Sequence, residues 1–224
     1  MTLPGYVTDV IRRLEENGHS AYAVGGCVRD MLMGRVPHDY DVCTDALPEQ
    51  TKNAFPDRTT IDTGIKHGTV TVISDGHPVE ITTFRTESGY SDGRHPDTVS
   101  FTASLEGDLS RRDFTVNAMA YSGKTGLIDI SGGRDDLENR IIRCVGDPEK
   151  RFSEDHLRIL RAIRFSAVLG YEIEEKTSAA VMKLKEKFFV DTFAMRCWPE
   201  VILNEFYGIA VCSTLGHLTN HGYL

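Results

Sequence analysis

Asp39 and Asp41 are the residues of this sequence whose type and spacing most directly suggest chemistry. On an extended strand, residues i and i+2 point to one face, so the two carboxylates are expected side by side, about 7 Å apart along the strand. Hard carboxylates at that spacing suit Mg²⁺, which takes oxygen ligands. Just upstream, Gly25-Gly26 ends the apolar run Ala21-Tyr22-Ala23-Val24 and opens a short helical stretch carrying Arg29 and Asp30, which Gly34 and Pro37 then break. A glycine pair at such a turn lets backbone N–H groups approach an anion closely, and Gly26 and Arg29 are the candidate phosphate contacts. Singly, Asp-x-Asp also fits a solvated strand end, and Gly-Gly an ordinary turn. Combined in one strand–turn–helix–strand unit, they point to phosphoryl chemistry on a nucleotide.

The elements that must hold these groups follow from periodicity. Tyr6, Val10, Ile11 and Leu14 recur at helical spacing, which predicts a packing helix over 5–17 that ends at Asn17-Gly18. A short helix is expected from Ala46 to Phe55. Gly68–Ile73 and Val79–Phe84 read as strands joined across Ser74-Asp75-Gly76-His77-Pro78, a hairpin signal. Glu80, between Val79 and Ile81, is a candidate third acidic group, either a metal ligand or the general base for an attacking hydroxyl. An edge-strand glutamate facing water fits the same pattern equally well. Residues 86–98, rich in Gly, Ser and Asp, read as a mobile loop.

Within Asp108–Tyr121 a helix is expected, capped by Asp108 or Ser110, with Phe114, Ala118 and Met119 on its packing side. The triplet Arg111-Arg112-Asp113 fits a salt-bridged corner, and equally a triphosphate contact by arginine beside a ribose contact by aspartate. Gly123–Gly126 should turn a hairpin between 118–121 and 127–130, and a strand over Ile141–Val145 should close a small mixed sheet with helices on one side. Gly146-Asp147-Pro148 reads as a hinge, after which the pattern is helical. The expected organisation is an α/β (α+β) head domain over 1–146 and an all-α domain over 147–224.

A second constellation opens that helical part. Glu154-Asp155-His156-Leu157-Arg158 continues through Arg161 and Arg164, and Ser153 is the expected N-cap of one helix. At 100° per residue Ile159, Leu160, Ile163 and Ala167 share a face, with Glu154, Arg158 and Arg161 opposite and Arg164 offset to one side. A solvated face with i,i+3 ion pairs is the plain reading. An Asp–Arg pair, however, sets one acceptor beside a fork of donors, which matches the amine and ring acceptors of cytosine and adenine and mismatches guanine and uracil.

Gly25-Gly26-x-x-Arg29-Asp30 with Asp39-x-Asp41, then Arg111-Arg112-Asp113, then Glu154-Asp155-x-x-Arg158, resemble the motifs of the tRNA nucleotidyltransferase (CCA-adding enzyme) and bacterial poly(A) polymerase family, class II type. The resemblance covers roughly residues 20–187. It implies a polymerase-beta-like nucleotidyltransferase head followed by a helical neck of RNA-binding type. It also implies metal-dependent transfer of C and A from CTP and ATP to the 3′ end of tRNA, with release of pyrophosphate. By resemblance Arg112 contacts the nucleotide, Asp155 and Arg158 template the incoming base, and Arg161 and Arg164 are further contacts. The family's flexible loop at 86–98 helps switch the pocket from C to A addition. A poly(A) polymerase or an A-adding enzyme of the same family is the neighbouring alternative. A nucleotide-binding module without RNA-dependent activity is the alternative from another class. After Phe188 the likeness fades: Cys197-Trp198-Pro199 replaces the expected helix, and the end at Leu224 reads as a truncated or frame-shifted product, or as a short form needing a partner.

The totals agree with a globular protein: 224 residues, 40% apolar and 26% charged. Twenty-five basic against 33 acidic residues give a net charge of −8, which argues against nonspecific coating of nucleic acid and for no DNA partner. Five cysteines, Cys27, Cys43, Cys144, Cys197 and Cys212, form no Cys-x-x-Cys pair, which suits buried thiols in a reducing, cytoplasmic setting. No run approaches the ~20 apolar residues of a membrane span.

Overall fold

A computed structural model describes residues 1–194 of the chain; the readings that fall on Cys197, Trp198, Pro199 and Cys212 lie outside the described residues. Two compact units form, one from Met1–Ser88 with Thr98–Leu137, the other from Gly89–Asp97 with the chain from Glu138 onward.

In the first unit, α1 (Gly5–Glu16) buries Val7, Val10, Ile11 and Leu14, an i, i+3, i+4, i+7 stripe, and packs on β1 (Ala21–Val24). Gly25 then turns the chain into α2 (Gly26–Leu32), and β2 (Asp41–Thr44) runs antiparallel to β1 with Asp41 opposite Val24. The expected strand holding both aspartates is shorter than predicted. β1 has no residue beyond Val24 to pair, because Gly25 leaves the ladder, so Asp39 sits in the bend before β2. α3 (Pro48–Ala54) follows, with proline in its first turn. β3 (Thr60–Gly64) was not legible in the sequence: Thr-Ile-Asp-Thr-Gly carries a single apolar residue, and it forms by pairing with the edge of β4 (Thr69–Ser74). β4 joins β5 (His77–Thr83) through Asp75 at φ 50° and Gly76 at φ 78°, the two left-handed residues of a tight hairpin turn.

The ends of the expected loop are strands. β6 (Arg85–Ser88) and β7 (Thr98–Phe101) pair antiparallel in their own two-stranded sheet, and only Gly89–Asp97 lies between them. The helix expected within 108–121 is also corrected, while the hairpin expected between 118–121 and 127–130 is present. α4 (Leu105–Ser110) starts earlier, its N-cap Ser104 accepting from the Gly107 N–H at 3.1 Å. Beyond it the Asp113 carboxylate accepts from the Phe114 N–H at 2.8 Å, a local bond that competes with helix continuation. One 3-10 turn, Thr115–Asn117, leads into β8 (Met119–Ser122), because Ala120 and Tyr121 are drawn into pairing with β1. β9 (Gly126–Asp129) and α5 (Gly133–Asn139) complete this part of the chain.

The seven-stranded mixed sheet runs β3-β4-β5-β2-β1-β8-β9, and β2–β5 is its parallel pair. Val24, Cys43, Phe84, Leu109 and Ala120 form a fully buried cluster, with Tyr22, Leu105 and Ile128 packed around it. Burying side chains such as Val24, Phe84 and Leu109 is worth about 1.5–3 kcal/mol each. This cluster fixes β1, β2, β8 and α4 as one block, and the acidic and basic groups sit on it.

The second unit consists of β10 (Ile141–Ile142), α6 (Pro148–Glu154), α7 (Leu157–Leu169), β11 (Glu172–Ile173) and α8 (Glu175–Ala194). The strand expected to close the large sheet pairs instead, in parallel, with β11. The single helix expected through Glu154–Phe165 is broken. Asp155 is extended at φ −140° and its carboxylate accepts from the Leu157 N–H at 3.0 Å, so it ends α6 and opens α7. Ser153 is therefore inside α6, not a cap. α7 turns Arg158, Ile159, Ala162, Ile163 and Ser166 inward, while Leu160 and Ala167 are half-buried.

Candidate active site

The site in the first unit is built on the parallel register of β2 and β5, which sets Asp41 directly beside Glu80. Glu80 is solvent-exposed, but β5 lies inside the sheet between β4 and β2, so it is not the edge-strand glutamate weighed from sequence. Solvent reaches the side chain of Asp41, yet its carboxyl is pushed up to about 6, first by desolvation, then by repulsion from Glu80 and Asp39; Arg112 opposes the shift. The negative charges of Glu80 and Asp39 thus bear on Asp41, and Arg112 offsets them only in part. Among the described residues, no group of three or more His, Cys, Asp or Glu side chains is arranged to hold a metal ion. Asp39 and Asp41 nonetheless fit a hard divalent cation in donor type, and a cation that takes its remaining ligands from substrate and water needs few protein groups.

Arginines gather on the other side of Asp41. Arg111 donates through Nε and Nη2 to Asp108 Oδ1, at 3.0 and 2.7 Å, and through Nη1 to Glu87 at 3.1 Å. Arg112 Nη2 donates to Asp108 Oδ2 at 3.2 Å, and Arg85 Nε donates to Glu87 at 2.8 Å. Asp108 is 1% exposed. Burial pushes its carboxyl up, but Arg111 and Arg112 outweigh that and hold it below the ordinary range. Two buried carboxylates therefore fix three guanidinium groups in place. Gly25, at φ 81°, lets the turn lie against them: a Cβ there would stand 3.2 Å from Arg112 Nη1. Arg29 reaches across to Asn117, donating to Oδ1 at 2.7 Å, and Gly26 begins α2 beside it.

Two cavities share Asp41 and Glu80. One, about 170 Å³, adds Thr69, Thr82, Arg85, Arg111 and Arg112. The other, about 610 Å³, adds Tyr6, His38, Asp39, Tyr40 and His77. A cavity of about 780 Å³ in the second unit, around Tyr171 and Glu172, contains none of the predicted site residues.

In the second unit, Asp155 and Arg158 are neighbours: Arg158 Nε lies 3.9 Å from Asp155 Oδ2, and Arg158 Nη1 donates to Glu154 Oε2 at 3.0 Å. Burial pushes the Asp155 carboxyl up against the lowering effect of Arg158. Arg158 is buried, contrary to the solvated face of the plain reading. Arg161 and Arg164 place their guanidinium carbons 5.5 and 5.1 Å from the Phe165 ring centroid. The backbone N–H of His156 donates to the Gly93 carbonyl at 2.9 Å, so the Gly89–Asp97 stretch is tied to the joint between α6 and α7.

Arg85, Glu87, Asp108 and Asn117 were absent from the candidate set drawn from sequence. Arg85 had a signal, since it directly follows the strand that carries Glu80. Asp108 appeared only as a helix cap, and the pairings of Glu87 and Asn117 become visible only in three dimensions.

Residues 21–143 match the model of the poly A polymerase head domain. The CCA-adding enzyme of Lactobacillus helveticus is 54% identical over 172 residues, which cover 77% of this chain and 43% of that protein. The structure of the Bacillus stearothermophilus CCA-adding enzyme in complex with CTP aligns with a TM-score of 0.74 at 46% identity, covering 82% of this chain and 44% of that one. A tRNA nucleotidyltransferase complexed with a primer tRNA and an incoming ATP analog aligns at 0.63 and 32% identity, over 78% and 49%. The chain spans about half the length of the curated relatives it matches. Among the described residues, no helix is long and apolar enough to cross a membrane.

Proposed function

Because the chain belongs to the poly A polymerase head domain family, we propose that it transfers CMP and AMP from CTP and ATP to the 3′ end of tRNA, releasing pyrophosphate. The observation that carries this reading is the shared wall of the two cavities, where Asp41 and Glu80 stand between a pocket of three arginines and an open acidic cleft. The relatives' names and the ligands in their structures support the substrates.

The arginine pocket is the place for the triphosphate. Arg112, with Arg85 and Arg111, neutralises its charge, and Gly26 and Arg29 offer the turn and a further cation. The attacking 3′-hydroxyl oxygen forms a bond to the α-phosphorus, and the bond to the pyrophosphate oxygen breaks in line with it. Asp39 and Asp41 are the ligands for Mg²⁺, which when bound polarises the phosphate and acidifies the hydroxyl. Glu80 serves as a further ligand or accepts the hydroxyl proton. In the domain of residues 147–224, the neck to the head of 1–146, Asp155 accepts from the exocyclic amine of C or A while Arg158 donates to the ring acceptor. Guanine and uracil would leave donors facing donors, at about 1–3 kcal/mol per group. Arg161 and Arg164 add contacts to the nucleotide. The setting is cytoplasmic.

Incorporation of each of the four labelled nucleotides into tRNA lacking its terminal CCA, with Mg²⁺, tests the reading. Ordered addition of C and A alone is expected. Repeated addition of A alone indicates a poly(A) polymerase, a single A an A-adding enzyme. Binding of CTP and ATP without transfer indicates a nucleotide-binding module, and binding of none of the four overturns the proposal.

A further inference from the structure

The two cavities that share Asp41 and Glu80 differ in chemistry. The smaller is walled by arginines. The larger has carboxylates and aromatic rings, with histidine as its basic residue type. A phosphate-rich group suits the first and is repelled by the second. The larger cleft therefore calls for a ligand end that is uncharged and carries hydroxyls, and whose planar part matches aromatic rings.

The rings are already arranged as a stack. Tyr6, from α1, lies against His77, the first residue of β5, with centroids 4.4 Å apart and planes 16° from parallel. Tyr40 meets Tyr6 edge-on at 6.0 Å and 89°, and is 7% exposed. Tyr6 is thus braced from behind by a buried ring. His77 is exposed and lines the larger cavity. The tight turn at Asp75–Gly76 fixes the start of β5, and His77 lines the same cavity as Glu80. A base laid on His77 extends a two-ring stack by one and brings its ribose toward the carboxylates.

We propose that the Tyr6–His77 stack is a shelf for the last base of the acceptor strand, so that His77 and Tyr6 are positioning residues that aim its 3′-hydroxyl at Asp41 and Glu80. This rests on the polymerising reading given above. Neither residue touches the reacting atoms. Their effect is on where the hydroxyl rests, and stacking tolerates any base because every base presents a π face.

The test uses the full chain and an acceptor-stem minihelix RNA whose 3′-terminal base is 2-aminopurine, a fluorophore quenched by stacking. Wild-type protein is expected to quench it. His77→Ala is expected to lose the quenching and to raise KM for the RNA roughly tenfold, with KM for CTP unchanged. His77→Phe, which keeps a planar ring, is expected to restore both. Tyr6→Leu, which keeps the apolar packing of α1, is expected to lie between. Equal quenching by wild type and His77→Ala overturns the shelf, as does an absence of quenching by wild type at saturating RNA. A parallel titration with CTP separates the two failures. If CTP binds and is incorporated while the shelf variants behave as wild type, only the shelf is wrong; if CTP does not bind, the polymerising reading falls with it.

Discussion

The first unit assembles its functional groups across long stretches of sequence, the second within a dozen residues. Asp41 meets Glu80 across a parallel strand pair, and Arg29 reaches Asn117, 88 residues away. Asp155, Arg158, Arg161 and Arg164 occupy one turn-and-helix segment, held by contacts with Glu154 and Phe165. The first arrangement is a rigid constellation anchored on buried carboxylates, where losing one member strands its partners. The second is a local cluster on one segment, where the Asp155 carboxylate also accepts from the Leu157 N–H between α6 and α7; under the proposed reading it is the surface that reads the base. A chemical step common to every nucleotide suits the former, and a choice among nucleotides suits the latter.

Four experiments sharpen that contrast. Asp41→Asn should lower single-turnover incorporation by on the order of 10³-fold while CTP still binds, since it removes charge at the point of transfer. Asp108→Ala should destabilise the fold by about 3 kcal/mol or more in a denaturant melt, because Arg111 and Arg112 lose the buried carboxylate they share. Asp155→Ala should reduce the preference for CTP over UTP by roughly tenfold in competition assays, with a much smaller change in melting temperature. An equal loss of stability from the last two variants would erase the distinction between the units.

The smallest effect concerns pH. The Asp41 carboxyl titrates in the folded chain at about 6, above its ordinary 3.8. The folded state therefore holds that proton more tightly than the unfolded one. The group favours folding below its unfolded value, and this contribution is lost as pH rises through about 6. Under the proposed reading, Mg²⁺ would compete with the proton for the same oxygen. Adding it should raise the melting temperature by a few degrees at pH 8 and by little at pH 5. Equal stabilisation at both pH values would place the cation elsewhere.

Much of this was legible in the sequence where local rules decide. Gly25-Gly26 after an apolar run gave the strand–turn–helix, Asp75-Gly76 gave the hairpin, and the stripe of Val10, Ile11 and Leu14 gave α1. The rest depended on partners far along the chain. Thr60–Gly64 has no period of its own and becomes a strand only against β4. Ile141–Ile142 pairs with Glu172–Ile173 and not with the large sheet, a choice between partners that a hydrophobic run does not encode. The hairpin expected between 118–121 and 127–130 is present as β8–β9, whereas the helix expected before it ends at Ser110 because Ala120 and Tyr121 are drawn into pairing with β1. At Asp155 a side chain bonds its own backbone and divides what periodicity joins. The proposed site residues share this division. Asp39, Asp41 and Glu80 stood out by type and spacing and Arg112 by resemblance, whereas Glu87 and Asp108 matter through the arginines they hold.

The parallel pairing of β2 with β5 has a consequence in time. Parallel neighbours cannot be joined by a tight turn, and here the crossover passes through α3, β3 and the β4–β5 hairpin before Glu80 arrives beside Asp41. The loop closure this requires makes it a late event in folding. A nascent chain that has released Asp39 and Asp41 but not yet β5 carries two carboxylates with no opposing wall. The wall that Asp41 and Glu80 share therefore exists only once the sheet has closed, and in pulse-labelled hydrogen exchange the β2–β5 amides should gain protection after those of the β1–β2 pair.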